Sequence, residues 1–178
     1  MLDLLKIQPF RIILMASERV EDGAGLQNKN SADMLMTTQR MTKAILGGDY
    51  GVAMDDLIVD ISIGTLSSDT EGLTRMSLET IRMIHQDPDL AGIHMSGGLS
   101  NLSVQLPAKR IDGAPLKLQL ENAYLTRAIP NGFDHALATP WRDYHLLDEG
   151  STVLNGFDEV VALDGLDALR RLRKLYKD

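Results

Sequence analysis

The chain has 178 residues, 44% of them hydrophobic and 24% charged, with a formal net charge of −7. That is the balance of a folded globular protein with one sizeable core, and the acidic excess argues against a nucleic-acid partner, which needs a basic face. Absence of cysteine excludes a disulfide framework and a thiolate metal site, and favours a reducing cytoplasmic setting.

The first segment is apolar in two pieces broken by Lys6, Pro9 and Arg11, so neither a signal peptide nor a membrane span is expected. "FRIILMAS" then reads as a buried strand near 11–17. A polar, glycine-containing stretch (18–30) precedes a helix in which Met34, Leu35, Met41, Ala44 and Ile45 share one face. Ser31 is its expected cap and Gly47-Gly48 its stop. A second strand is expected at 57–63. The helix after it carries Leu73, Met76, Thr80, Ile81 and Ile84 along one side, with Pro88 beyond its end. A third strand (92–97), a loop, a helix over 115–129 and a fourth strand (134–140) follow. The C-terminal stretch reads as two short helices, the second bearing Leu166, Leu169, Leu172 and Leu175. This alternation predicts an α/β fold with parallel strands and crossover helices. Four βα units are half of a closed eight-stranded barrel. We expect one domain over 1–178, a partial (β/α) TIM barrel with about four parallel strands.

In parallel α/β folds the ligand site lies beyond the C-terminal ends of the strands. Alternation along 57–63 puts Leu57, Val59, Ile61 and Ile63 on one apolar face and Ile58, Asp60 and Ser62 on the other. Asp60 thus points inward, where a carboxylate needs donors, whether from a ligand or from loop amides and an arginine. The third strand ends in Ser96-Gly97-Gly98-Leu99-Ser100-Asn101. There Gly97 and Gly98 are expected to allow positive φ and close ligand approach, and Asn101 offers both a donor and an acceptor; an ordinary glycine turn is the plainer alternative. Lys109 and Arg110 are candidates to neutralise an anionic substrate tail, or else a solvated pair. His85, His94, His135 and His145 lack metal-ligand spacing, so no metal site is expected, and His94 is expected to pack beside its strand. The nine methionines read as core filler. Arg170, Arg171, Arg173 and Lys174 read as a solvated helix face suited to the dipole.

Three segments, "DDLIVDISIGTLSSDTEGLTRMSLETIRMI", "GIHMSGGLSNLSVQLPAKR" and "ENAYLTRAIPNGFDHALATP", together resemble the pterin-binding barrel of methyltetrahydrofolate–corrinoid methyltransferases. The likeness runs in order over roughly residues 10–140, and Gly-Leu-Ser-Asn-Leu-Ser (98–103) is its most specific piece. The related dihydropteroate synthases carry an arginine and a lysine in that loop, which are not found here. Relative to the family pattern, "LPAKR" holds one extra residue before Arg110, and "DIS" stands where Asp-Pro is usual.

The resemblance implies that Asp60 accepts hydrogen bonds from the 2-amino and N3–H edge of the pterin and that Asn101 acts at N5, the methyl-bearing nitrogen. Ser62, Gly97, Gly98, Ser100, Ser103 and Arg110 would complete the binding surface. It implies methyltetrahydrofolate as substrate and a corrinoid (cobalamin) cobalt as methyl acceptor, carried by a partner corrinoid protein. The chain begins near the helix before what would be the fifth strand, so it corresponds to the C-terminal half of the barrel. A homo-oligomer or a completing half-barrel is therefore expected, with no nucleic-acid or membrane partner. The alternatives are a non-catalytic half-barrel and another pterin-dependent activity, such as a dihydropteroate synthase-like reaction.

Overall fold

The computed structural model of the protein describes residues 2–177. Strand β1 (Ile12–Met15) leads into an antiparallel hairpin, β2 (Glu18–Glu21) and β3 (Ala24–Gln27), then helix α1 (Ser31–Leu46). Next come β4 (Leu57–Asp60), α2 (Leu73–Gln86), β5 (His94–Gly98), α3 (Leu116–Ala128) and β6 (His135–Leu137). Two helices, α4 (Thr152–Ala162) and α5 (Gly165–Lys177), close the chain. Strands β1, β4, β5 and β6 form one sheet in that spatial order, and every pair is parallel. The fold is mixed α/β, with the four-stranded sheet and crossover helices expected of a partial barrel, and it is open rather than closed.

Over 18–30 the sequence predicts only a polar, glycine-containing connection, whereas the structure forms the hairpin there. Its strands are almost wholly exposed and so carry no apolar alternation. The turn is set by Asp22 and Gly23, at φ +50° and +79°, the double left-handed geometry of a two-residue hairpin loop. Asn28 fastens the hairpin to the body: its amide donates to the Ala16 carbonyl (2.7 Å) and the Thr37 hydroxyl (2.9 Å). Helix α1 is capped one residue earlier than expected, by Asn30, whose side-chain oxygen accepts from the Asp33 amide at 2.8 Å. Ser31 is instead the first helical residue. Helix α2 is capped from outside by Asp69, whose two carboxylate oxygens accept from the amides of Leu73 and Thr74 at 2.8 Å each. That satisfies two of the orphan donors of the first turn and places a negative charge at the positive helix end.

Side-chain parity divides the sheet into two unlike faces. Ile12, Leu14, Leu57, Val59 and Met95 point to the helices and are buried. They pack with Met34, Ile45, Ile81, Ile84, Leu120 and Tyr124 into the two cores of the molecule. On the opposite, inner face Ile13, Met15 and Leu137 are 53%, 52% and 59% exposed, because no described element covers them. Register aligns the inner face in rows: Met15, Asp60, Ser96 and His135 stand side by side.

Helix α3 is buried on nearly every side, and its two charged residues of the central and last turns, Glu121 and Arg127, are compensated by pairing. Fully buried Glu121 accepts from the Ser103 hydroxyl (2.6 Å), from Arg142 (2.6 and 2.8 Å) and from the Tyr144 hydroxyl (3.0 Å). Arg127, on the same helix, holds Asp158 of α4 and Glu149. These contacts strap the segment after β6 onto α3. Of the leucines expected to form the α5 seam, Leu172 and Leu175 are buried, whereas Leu166 is exposed and Ala168 takes a core position. Among the described residues no helix is long and apolar enough to cross a membrane.

Candidate functional site

Asp60 is the last residue of β4, half-buried on the inner face. Its Oδ1 accepts from the Ser62 amide at 2.7 Å, a carboxylate-closed turn of the kind Asp favours. Ser62 is held at φ +54°, a conformation that costs a non-glycine residue roughly 1–2 kcal/mol. The bond from Asp60 fixes this strained turn directly beyond the strand end. Beside Asp60 in register stands Ser96 of β5, which is buried. The hydroxyls of both Ser62 and Ser96 are buried without a hydrogen-bonding partner. Two such orphans at adjoining strand ends are unusual, since buried polar groups are nearly always paired. Their parity is legible in the sequence, yet Ser96 was not singled out there as a site residue.

The two glycines of β5 are not needed for the positive φ expected of them. Neither adopts positive φ. A Cβ at Gly97 would meet Ile63 Cδ1 at 2.7 Å and Cγ1 at 2.8 Å; Gly97 therefore makes room for a core side chain on the helix side. A Cβ at Gly98 would meet the Asn101 amide nitrogen at 2.8 Å, so Gly98 lets the Asn101 carboxamide lie back against the end of β5. Ser100 and Asn101 are exposed on the short 3-10 turn Leu99–Ser103. Asp60, Ser62, Ser96, Gly98 and Asn101 thus belong to neighbouring strand ends.

Two expected residues lie apart from that group. Ser103 is buried and its hydroxyl is spent on Glu121. Arg110 pairs with Asp112 at 3.4 Å and lines a cleft with Thr152, Arg171, Lys174 and Leu175, on α4 and α5. The extra residue in "LPAKR" accompanies this displacement. Another cleft, of about 370 Å³, lies between the hairpin and α1, lined by Glu18, Arg19, Val20, Thr37, Arg40, Met41 and Ala44. It shares no residue with the strand-end cluster, so it carries none of that chemistry.

His94 and His135, separated in sequence, are brought together by the parallel register. His94, the first residue of β5, lies with one ring nitrogen 2.5 Å from Asp134 and the other 2.9 Å from Asp55. His135 bonds Asp134 at 2.9 Å, and its ring meets that of His94 edge-on at 4.9 Å. The hydrogen bond to Asp134 raises the His94 pKa above its ordinary value, against the opposing effect of burial, and the bond to Asp55 adds to the rise. Partial burial pushes the Asp134 carboxyl up, but bonds from His135, His94 and the Met95 amide outweigh it and hold the group below the usual aspartate value. His94 therefore lies within a charged network on the inner face rather than simply packing beside its strand.

No protein-family model matches the sequence, and no curated protein matches it.

The division of labour between the glycines is open to a direct check. Gly97→Ala is expected to destabilise the fold by about 1–3 kcal/mol in urea unfolding, the usual cost of overpacking a core. The double variant with Ile63→Ala should lose less than the sum of the single losses. Gly98→Ala, which meets only the tip of an exposed side chain, should stay within about 1 kcal/mol of the parent. Equal stability for Gly97→Ala and the parent would contradict this account.

Proposed function

We propose that the strand-end group binds the pterin of methyltetrahydrofolate and serves transfer of its N5-methyl group to the cobalt of a corrinoid. The observation that carries this reading is the inward carboxylate of Asp60, in register with the unpartnered Ser96 hydroxyl, with the Asn101 carboxamide lying against Gly98 two residues further along β5. A pterin offers a two-donor edge, the 2-amino group and N3–H, that suits one carboxylate. Gly98 leaves Asn101 room at the strand end, where its amide can face N5. During transfer the N5–CH₃ bond breaks, N5 keeps the bonding pair and takes up a proton, and the methyl carbon bonds to the metal. A carboxamide can follow that change because it both accepts and donates. Reduced cobalt supplies the nucleophile; the protein's part is to orient the folate and strengthen one hydrogen bond. The uncovered inner face leaves access for a large planar acceptor on a corrinoid protein. The absence of cysteine and the substrate class fit a cytoplasmic location.

Calorimetric titration with methyltetrahydrofolate tests the reading. Saturable binding is expected, with Asp60→Ala losing affinity by about a hundredfold or more, the worth of two hydrogen bonds to a charged group. Asn101→Ala should weaken it less. No binding to the folded chain, or equal binding by Asp60→Ala, would refute the assignment.

The exposed inner face favours a second, compatible reading, in which another half-barrel completes the site. With all four strands parallel, a two-fold axis along the strand direction would bring β6 of one copy beside β1 of the other. Both pairs of edges would close into eight strands, and Ile13, Met15 and Leu137 would be buried. Sedimentation should then reveal a dimer. A monodisperse monomer over the whole accessible concentration range would exclude self-completion.

A further inference from the structure

We propose that His94, Asp134 and His135 form a binding site for a divalent transition-metal ion of the zinc class, independent of any pterin chemistry. One ligand atom from each residue lies within 4.8 Å of the others. A tetrahedral zinc ion with bonds of about 2.0–2.1 Å needs its ligand atoms roughly 3.3 Å apart, so small rotations at the side-chain tips suffice. Two imidazoles and one carboxylate are a donor set that such ions favour over magnesium or calcium. Three protein ligands leave a fourth position for water, which the partly exposed Asp134 and His135 can admit.

The surroundings are arranged as metal-binding imidazoles require. The His94 nitrogen that faces away from the cluster, Nε2, lies 2.9 Å from Asp55 Oδ1, and Arg11 holds the other Asp55 oxygen at 3.1 Å. A carboxylate on the distal ring nitrogen fixes the tautomer and orientation of a ligating histidine, and the arginine fixes the carboxylate. Asp134 is oriented in turn by the Met95 amide, which donates to Oδ1 at 3.0 Å. With neutral imidazoles, the two carboxylates and Arg11 leave one net negative charge, which suits a dication. In the structure His94 and His135 both bond to Asp134, and the ion would take the place of the protons in those bonds. On the inner face His94 lies two residues before Ser96, roughly 7 Å along the strand, while His135 stands beside Ser96 in register. An ion there would tie β5 to β6 through their side chains, with β4 joined through Asp55.

The test is titration of the full chain with Zn²⁺ alone by calorimetry, and with Co²⁺ followed by its visible absorption. One Zn²⁺ per chain is expected, and Co²⁺ should give the intense absorption of a four-coordinate site. His94→Gln and His135→Gln should each weaken binding by about a hundredfold or more, and Asp55→Asn, acting through His94, by about tenfold to a hundredfold. His85→Gln and His145→Gln, outside the cluster, should bind as the parent does. Each variant is checked for an unchanged circular dichroism spectrum and a cooperative melt. No saturable binding by the folded chain, or equal binding by the folded His94→Gln and His135→Gln variants, would overturn the proposal.

Discussion

The structure depends on the register of one parallel sheet. Pairing Met15 with Asp60, Asp60 with Ser96 and Ser96 with His135 fixes which side chains face the helices and which face the open side. Because side chains alternate strictly, a slip of one residue would carry Asp60 into the core and Val59 out of it. The cost of burying that carboxylate and exposing that valine pins the register. Everything on the inner face, polar and apolar, is placed by it.

That face has two chemically distinct parts. Toward the C-terminal ends lie a carboxylate, a strained serine turn and two buried hydroxyls without partners. Such groups are costly in a merely structural position, and their clustering at neighbouring strand ends is what sets this place apart from the clefts elsewhere. Running up from the lower part of the same face to the row of Ser96 lies the alternating chain Arg11, Asp55, His94, Asp134, His135, in which every charged or ionisable group has a neighbour. The helix face, by contrast, is filled mainly by apolar packing, and the fully buried carboxylate of Glu121 is satisfied within the protein by Ser103, Arg142 and Tyr144.

Much of this was legible in the sequence. Apolar β-branched runs marked β1 and β4, the strand–helix alternation placed β5 and β6, and alternation across 57–63 correctly turned Asp60 away from Leu57 and Val59. The hairpin was not legible, because its strands lie on the surface and bury nothing, leaving Asp22-Gly23 as the sole local signal. The packing role of Gly97 depends on Ile63, a neighbour in space rather than in sequence, so local reasoning about glycine freedom predicted a positive φ that the chain does not adopt. Asn30 outcompetes Ser31 as the α1 cap because its side-chain oxygen sits where the Asp33 amide points. The His94–Asp134 contact spans 40 residues, and no spacing rule reads across a β-strand crossover. Arg110 escaped for a similar reason: loop geometry carries it to α5, and motif order alone does not reveal direction.

The central claim is that the strand ends of β4 and β5 hold a pterin, and amide shift mapping tests it most directly. Isotope-labelled chain would be titrated with methyltetrahydrofolate and followed residue by residue. The account predicts saturable perturbations clustered on Asp60–Ser62 and Ser96–Asn101. Perturbations confined to the hairpin–α1 cleft or to the cleft around Arg110, or an unchanged spectrum of the folded chain, would contradict it.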